Sequence, residues 1–307
     1  MEKMKKRLAM MDYIKIKTPA TAANLGAGFD VFGMALENPY DIIELETNDS
    51  LKIVVKGKNA GDIPTEPMRN TAGFVASELG CKVKITIHKG IVPGSGLGSS
   101  AASAAGTVFG LNKMFELGFS LDELVWLAAK GEVVSAGVEH ADNVAAALFG
   151  GFTIVHGDRV IAVSPVDIGI VAILPDLVVN TRDARRILPK SVSLDDFVFN
   201  VGSASMMVVG MLRNNIELIG KNMQNHVIEP ARAGLIPGYL DVRDSALQAG
   251  ATGVAISGSG PAMIAVCTLD KREEVASAMV DAFVKNGIDS EVFITTVGRG
   301  VEVLEWN

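Results

Sequence analysis

The sequence contains a glycine- and serine-rich run between a predicted strand and a predicted helix, Pro93-Gly94-Ser95-Gly96-Leu97-Gly98-Ser99-Ser100-Ala101-Ala102. Glycines let the backbone adopt positive φ and approach a ligand closely. The free N–H groups and the dipole at the start of a helix attract an anion. Two serine hydroxyls can add bonds to a phosphate or a magnesium ion. The run predicts a phosphate-binding loop, with an ordinary tight turn as the alternative.

This loop differs from three well-known nucleotide signatures. The run has no Gly-Lys-Ser/Thr, so it is not a Walker A loop, and Ser99 stands where the third glycine of G-x-G-x-x-G would be. The chain also lacks the His-Arg-Asp and Asp-Phe-Gly motifs of protein kinases. Another class of phosphate-binding protein is therefore indicated.

The hydrophobic pattern around the loop predicts an α+β protein. Alternation predicts strands in the first half at Tyr13–Lys17, Asp41–Glu46, Leu51–Lys56, Val83–His88 and Phe152–His156. Helical patterns there cover Arg69–Leu79, Ser99–Phe115 and Leu121–Lys130, the last with a capping box of Ser120 and Glu123. The second half mixes strands (Ile168–Leu174, Gly253–Ser257, Ala262–Cys267, Glu291–Thr296) with helices (Leu194–Leu212, Tyr239–Gln248, Lys271–Lys285). We expect two domains, residues 12–165 and 166–307.

Composition excludes several classes of protein. The 307 residues are 49% hydrophobic and 21% charged, which is typical of a globular chain and not of a disordered one. A net charge of −7 argues against nucleic-acid binding, which needs clustered positive charge. The longest apolar run, 144–155, is shorter than the roughly 20 residues that span a bilayer. With only two cysteines and no signal sequence, we expect a cytoplasmic protein; the basic leader Lys3–Arg7 is assigned no role.

Three polar residues precede a strongly apolar segment. Glu132 and Asn143 would lie about three turns apart on one face of an uninterrupted helix, unless Gly137 ends that helix. Asp142 is adjacent, and the apolar run Val144–Phe149 follows directly. Polar groups in such a setting usually have partners. A solvated acidic helix is the alternative.

Three motifs together resemble the GHMP kinase superfamily, which includes galactokinases, homoserine kinases and mevalonate kinases. The Pro-x-x-x-Gly-Leu-Gly-Ser-Ser-Ala-Ala run resembles its phosphate loop, and Ser257-Gly258-Ser259-Gly260-Pro261 resembles its third motif. The segment Pro19-Ala20-Thr21-Ala22-Ala23-Asn24-Leu25-Gly26-Ala27-Gly28-Phe29-Asp30 is similar to the first motif of homoserine kinases. The resemblance runs from Tyr13 to Val303. It implies an N-terminal domain like domain 2 of ribosomal protein S5, a ferredoxin-like C-terminal domain and a nucleotide in the cleft between them.

The resemblance implies ATP as phosphoryl donor and Mg²⁺ held by Ser100 and Glu132. The nucleotide-binding residues that it implies are Pro93, Gly94, Ser95, Gly96, Leu97, Gly98, Ser99, Ser100, Ala101, Ala102, Ser103 and Asn70. For Asn70, the position before a helix fits an N-cap equally well. The third motif is expected to pack against the phosphate loop and stabilise it.

The resemblance also implies a substrate pocket for an α-amino acid. Arg185 and Arg232 would bind the α-carboxylate, which a guanidinium fork matches bidentately, although arginines are more often surface residues. Asp30 would bind the α-amino group. The other implied substrate residues are Asn24, His140 and Thr181. Asp142 and Asn143 would lie beside the substrate hydroxyl, with Asp142 either a general base or a positioning group.

The implied function is ATP-dependent phosphorylation of L-homoserine to O-phospho-L-homoserine, a step of threonine biosynthesis, by a homodimer with no nucleic-acid or membrane partner. One alternative is another kinase of the superfamily, acting on shikimate or mevalonate. A second alternative is a non-catalytic sensor of nucleotide and amino acid. The presence of Glu132, Ser100 and Asp142 argues against a sensor, because pure binding does not need a metal carboxylate.

Overall fold

The computed structural model describes residues 10–137 and 140–307, so the leader Lys3–Arg7 and Glu139 lie outside the described residues. The strands are β1 (Tyr13–Ala23), β2 (Phe32–Thr47), β3 (Lys52–Gly57), β4 (Val83–Lys89), β5 (Phe152–His156), β6 (Arg159–Val163), β7 (Gly169–Pro175), β8 (Gly253–Ile256), β9 (Met263–Cys267), β10 (Ser290–Thr296) and β11 (Glu302–Trp306). The helices are α1 (Thr71–Glu78), α2 (Ser99–Met114), α3 (Leu121–Ala136), α4 (Asp142–Phe149), α5 (Thr181–Arg186), α6 (Leu194–Leu212), α7 (Ile216–Lys221), α8 (Ile228–Ala233), α9 (Tyr239–Gln248) and α10 (Arg272–Lys285).

The first sheet has seven strands. Its main path runs β11-β1-β2-β4-β3, and β5 pairs with β2 and carries β6. Among the strands that the structure describes in this sheet, only β3 and β4 pair in parallel. Alternate residues of β2 and β4, such as Ile43, Leu45 and Ile85, face one core together with Leu111 of α2. Helices α1 to α4 thereby cover this sheet on the side where the glycine-rich loop begins.

The second sheet has four antiparallel strands in the order β10-β7-β9-β8. Its strands and the two helices packed on its outer face, α9 and α10, follow each other as strand, helix, strand, strand, helix, strand, which is the ferredoxin-like succession. Helices α9 and α10 pack on one face, while the other face joins a core with residues of the first half such as Met34 and Phe152. All seven residues of β7 are therefore buried. The expectation of an α+β protein with two domains, each built on its own sheet, is confirmed.

The last strand returns to the first sheet, which the sequence pattern did not predict. Glu302–Trp306 pairs antiparallel with Ile14–Lys17 of β1. The change from the first sheet to the second falls between Val163 and Gly169. We propose domains of residues 12–165 and 166–307, with β11 contributed by the second domain to the first sheet.

Some elements extend beyond their predicted bounds. The first strand was predicted from alternation over Tyr13–Lys17. It continues to Ala23, with an irregularity in register between Pro19 and Thr21 that accommodates the proline.

Both cysteines are buried, Cys81 beside the first sheet and Cys267 in the second. Among the described helices, none combines the length and the apolarity that crossing a bilayer requires.

Candidate active site

One cleft of about 540 Å³ is lined by residues from both halves of the chain, a size typical of small-molecule sites. It brings together seventeen of the predicted site residues: Asn24, Asp30, Asn70, Pro93, Gly94, Gly96, Gly98, Ser99, Ser100, Ser103, Glu132, His140, Asp142, Asn143, Thr181, Arg185 and Arg232. Four others are buried and do not line the cleft: Ser95 and Leu97 in the loop, and Ala101 and Ala102 in the first turn of α2.

The loop between β4 and α2 depends on glycine at three positions. Gly94, Gly96 and Gly98 have φ of 71°, 82° and 68°, a region that other residues rarely adopt. A Cβ on Gly96 would lie 2.6 Å from the Ser257 carbonyl oxygen, and one on Gly98 would lie 1.9 Å from Thr21 Oγ1. The loop therefore holds the free N–H groups at the start of α2 against the cleft, as an anion site requires.

Neighbouring segments hold this loop in place. Ser257 donates its hydroxyl to the carbonyl oxygen of Gly96 at 2.7 Å. The backbone N–H of Ala262 donates to the carbonyl of Ser95 at 3.0 Å. The prediction that the third motif packs against the loop is confirmed by these contacts, so the loop is preorganised before any ligand arrives.

Helices α2 and α3 place Ser100 beside Glu132. The Ser100 hydroxyl donates to Glu132 Oε2 at 3.0 Å. Glu132 is buried, and burial raises the pKa of its carboxyl to about 7, although the bond from Ser100 opposes this shift. Two hard oxygen ligands at the edge of a phosphate loop fit magnesium, which takes its remaining ligands from phosphates and water.

Helix α3, which carries Glu132, ends before Asp142. Gly137 caps it with φ of 81°, and α4 begins at Asp142. The alternative of a broken helix is thus correct, and Glu132 reaches the cleft from a different helix than Asn143. The capping box of Ser120 and Glu123 at the start of α3 is also confirmed.

The first turn of α4 carries the two predicted catalytic residues. Asp142 is buried and accepts a hydrogen bond from the backbone N–H of Asn143 at 2.8 Å. Burial raises the pKa of the Asp142 carboxyl, while the charge of His140 opposes the shift. Asn143 Oδ1 accepts a bond from the hydroxyl of Thr21 at 2.7 Å. The side chains of Asp142 and Asn143 line the same cleft as that of Glu132.

At the other side of the cleft, Arg185 and Asp30 form an ion pair. The Arg185 Nη2 to Asp30 Oδ2 distance is 2.6 Å and the Nη1 to Oδ1 distance is 3.4 Å. His140 Nδ1 lies 3.8 Å from the same carboxylate. Asn24 accepts a bond from the Asp30 N–H at 3.0 Å and donates to the Gly258 carbonyl at 2.9 Å. Asn24 therefore fixes the backbone that presents Asp30.

Arg232 on α8 is a buried cation. It donates from Nε to the carbonyl of Ala184 at 3.2 Å and from Nη1 to the carbonyl of Gly258 at 2.7 Å. Its guanidinium lies 5.3 Å from the centre of the Phe29 ring, and that of Arg185 lies 5.8 Å from it. The sequence predicted both arginines at one subsite, and both line the cleft around Phe29.

Helix α5 contributes Thr181 together with Arg185. Asn180 caps this helix by accepting a bond from the Arg182 N–H at 2.9 Å. The hydroxyls of Thr181 and Ser259 are 3.2 Å apart. Thr181 thus joins α5 to the third motif at the side of the cleft that also holds Arg185.

Asn70 occupies the N-cap of α1. Its Oδ1 accepts bonds from the N–H groups of Ala72 and Gly73, and its Nδ2 donates to the carbonyl of Pro64 at 2.8 Å. The capping alternative is therefore observed. Because the same residue lines the cleft, the remaining amide proton is the part of Asn70 available to a ligand.

Sequence reasoning missed a buried ion pair behind the loop. Lys89, the last residue of β4, contacts Asp41 and donates to the Ser99 carbonyl at 2.9 Å. Burial raises the pKa of Asp41 and lowers that of Lys89, and their direct contact opposes both shifts. The pattern held a signal: Asp41 and Lys89 continue the inward-facing series of residues on β2 and β4.

A second missed residue lies behind Arg232, one of the residues predicted to bind the substrate. Glu229 is on the same helix as Arg232 and accepts bonds from the Tyr239 hydroxyl at 2.7 Å and the Ile256 N–H at 2.6 Å. Burial raises the pKa of Glu229 to about 7. This carboxyl ties α8 to the end of β8, where the third motif begins. Nothing in its local sequence marks that role.

Comparisons with known proteins agree with this geometry. The family model described as GHMP kinases N terminal domain matches residues 67–151, and the one described as GHMP kinases C terminal matches residues 207–286. The homoserine kinase of Methanocella arvoryzae is 51% identical, covering 96% of this chain and 98% of that protein. The homoserine kinase of Haloarcula marismortui is 50% identical, with 94% and 99% covered.

A solved structure of a homoserine kinase has a fold similar to that of this chain. The crystal structure of homoserine kinase from Cytophaga hutchinsonii has a TM-score of 0.89 and 37% sequence identity, covering 97% of this chain and 99% of that one. The chain therefore belongs to the GHMP kinase family of phosphotransferases. The relatives that it matches over nearly their full length are homoserine kinases.

Proposed function

We propose that this protein transfers the γ-phosphoryl group of ATP to the side-chain hydroxyl of L-homoserine, forming O-phospho-L-homoserine and ADP in threonine biosynthesis. The observation that carries the proposal is the arrangement of charge along one cleft. A phosphate loop with Ser100 and Glu132 forms one side, and Asp30, Arg185 and Arg232 form the other. This arrangement matches a nucleotide and a zwitterionic amino acid placed next to each other, and the named relatives support the same reaction.

The loop side would bind the triphosphate. The N–H groups at the start of α2, and those of the loop that face the cleft, would donate to the phosphate oxygens, and the glycines allow the close approach. Ser100 and Glu132 would hold Mg²⁺, since their oxygens lie 3.0 Å apart beside the loop. When bound, this ion neutralises charge on the phosphate oxygens during transfer. Asn70 would contact the base with its remaining amide proton.

The opposite side would bind the two charged groups of homoserine. The α-carboxylate would take the place of Asp30 on Arg185 and receive the free donors of Arg232. The α-ammonium would bind Asp30, which His140 and Asn24 hold in place. Thr181 would close the same pocket. Recognition of an amine separates homoserine from mevalonate and shikimate, because neither has an ammonium group to pair with the Asp30 carboxylate.

The reaction then needs alignment at the hydroxyl. The hydroxyl oxygen forms a bond to the γ-phosphorus while the bond from that phosphorus to the bridging oxygen breaks, and ADP leaves. Asp142 positions the hydroxyl and takes its proton, a role that suits a carboxyl whose pKa is raised by burial. Asn143 donates an amide N–H toward the reacting oxygens. Positioning and charge neutralisation supply most of the rate in such transfers.

We also propose a homodimer in the cytoplasm. Helix α6 exposes a row of apolar side chains spaced three and four residues apart, at Leu194, Phe197, Val198 and Val201. Exposed apolar patches of this kind mark interaction surfaces, and a second copy of the chain is the occupant proposed. Light scattering of the wild type and of a Phe197→Asp variant tests this, with a dimer and a monomer expected.

The test of the reaction is ADP release by the purified protein with Mg²⁺ and ATP. The acceptors compared are L-homoserine, D-homoserine, L-serine, mevalonate and shikimate. Turnover that depends on L-homoserine supports the proposal. Turnover on mevalonate or shikimate alone keeps the kinase and removes the proposed substrate pocket. ATP binding without turnover on any acceptor supports the sensor alternative.

A further inference from the structure

A buried threonine outside the cleft connects the first motif to the catalytic residues. Thr21, on β1, is fully buried and does not line the cleft. Its hydroxyl donates to Asn143 Oδ1 at 2.7 Å. The two residues are 122 positions apart in the sequence. A contact between such distant segments, placed directly behind the reacting side of the cleft, suggests a role in orienting Asn143.

We infer that Thr21 is a positioning residue that fixes the orientation of the Asn143 amide, so that its Nδ2 donors face the cleft. This inference rests on the proposed function, in which Asn143 donates toward the reacting oxygens. The amide is planar, with its oxygen and nitrogen on opposite sides. Because Thr21 occupies the oxygen on the interior side, the NH₂ group is left on the side that lines the cleft.

The hydroxyl is the part of Thr21 that decides this orientation. The terminal torsion of an asparagine has two broad wells that differ by a half-turn, so an amide without a partner exchanges its two ends. In one of those states an oxygen would face the anionic phosphates. A hydroxyl that donates to Oδ1 removes that state, and the donor end stays toward the charge that develops in transfer.

The phosphate loop packs over this bond. A Cβ on Gly98 would lie 1.9 Å from Thr21 Oγ1 and 3.1 Å from Asn143 Oδ1, so the absence of a side chain there makes room for the pair. The backbone N–H of Thr21 also donates to the Leu97 carbonyl at 3.1 Å. Thr21 therefore contacts the loop through its backbone and Asn143 through its side chain, and a side-chain substitution separates the two roles.

The test is Thr21→Val, which keeps the shape of the side chain and the backbone bond to Leu97. We expect kcat for homoserine phosphorylation to fall about tenfold or more, since an oriented donor contributes on that scale, with the KM values for ATP and homoserine changed less than threefold. Thr21→Ser, which retains the hydroxyl, should recover most of kcat. An unchanged kcat, or a loss expressed in the KM for ATP, would overturn the inference.

A double-mutant cycle separates positioning from general damage. Asn143→Ala alone should lower kcat more than Thr21→Val, and adding Thr21→Val to Asn143→Ala should change kcat less than twofold. Independent, multiplicative losses would contradict an action through Asn143. If Thr21→Val does not fold, Thr21→Ala replaces it in the same cycle.

Thr18→Val is the matched control. Thr18 is also on β1 and fully buried, and among the described residues its hydroxyl has no hydrogen-bond partner. This variant should keep wild-type kcat; a loss equal to that of Thr21→Val would assign the effect to the strand and contradict the inference. Wild-type protein without turnover on homoserine would instead contradict the proposed function.

Discussion

Arg185 and Asp30 neutralise each other across the substrate side of the cleft, with Nη2 and Oδ2 2.6 Å apart. The two side chains are 41% and 33% exposed, and ion pairs with such access to water contribute little to stability. A zwitterionic ligand carries a carboxylate that can pair with Arg185 and an ammonium group that can pair with Asp30. Binding can therefore replace the Arg185–Asp30 ion pair with two ion pairs to the ligand and leave neither side chain unpaired.

Arg185→Ala should therefore affect binding and leave folding intact. We expect the KM for homoserine to rise about 10- to 100-fold, the loss typical of a hydrogen bond to a charged group, with little change in melting temperature. Arg186→Ala is the control, because the neighbouring Arg186 pairs with Asp183 away from the cleft. An Arg185→Ala enzyme that saturates normally with homoserine would remove the carboxylate role.

Glu132→Gln should lower turnover much more than homoserine affinity. The amide keeps the size of the side chain but loses the negative charge that would bind Mg²⁺. We expect kcat to fall at least 100-fold, while the KM for homoserine changes less than threefold. Glu123→Gln on the same helix is the control, because glutamine also serves in a capping box. Equal losses in kcat and in homoserine binding would count against the metal role.

Asp142→Asn distinguishes proton transfer from positioning. Asparagine retains the shape and an acceptor for the Asn143 N–H but cannot take a proton. If Asp142 acts as the base, kcat should fall by about two to four orders of magnitude. A kcat within tenfold of wild type, measured at saturating ATP and homoserine, would leave positioning as the only role.

Glu229 predicts a pH dependence of stability. Burial raises its pKa from 4.5 to about 7 in the folded state, so folding favours the protonated form. The contribution of Glu229 to the free energy of unfolding is fully present below pH 4.5. It is lost as the pH rises toward 7, by up to about 1.4 kcal/mol per pH unit.

Glu229→Gln mimics the protonated carboxyl, since its amide can donate to Tyr239 and accept from the Ile256 N–H. The free energy of unfolding of this variant should vary less between pH 5 and pH 8 than that of the wild type. Urea unfolding across this range measures the difference. Parallel curves for the two proteins would show that Glu229 titrates normally in the folded state.

Sequence reasoning was most accurate where an element carries several turns of pattern or a strong boundary. Helices Leu194–Leu212 and Tyr239–Gln248 were predicted to the residue, and Phe152–His156 follows a clear break at Gly150-Gly151. The six-residue helices α5, α7 and α8 were not predicted, because fewer than two turns give no measurable period. The strand Glu302–Trp306 forms only through its distant partner.

The same limit applies to the site. The family resemblance carried by the three motifs located the predicted site residues that line the cleft, including Glu132, Arg185 and Arg232, which lie outside the motifs themselves. The contacts that support these residues were missed, since Asp41 meets Lys89 across 48 positions and Thr21 meets Asn143 across 122. Local sequence does not indicate such long-range contacts. The exception is that Asp41 and Lys89 occupy inward-facing positions of β2 and β4 that are otherwise mostly apolar.

The return of β11 to the edge of β1 has a consequence for synthesis in the cell. Nearly the whole chain separates these strands, and at about 5–20 residues per second the ribosome needs tens of seconds to make it. During that time the outer edge of β1 is an open template for pairing with another chain. The first residues of the sheet receive this partner only after the codons for Glu302–Trp306 are read, so a nascent chain, or one clipped before Glu302, exposes the edge that β11 covers in the folded enzyme.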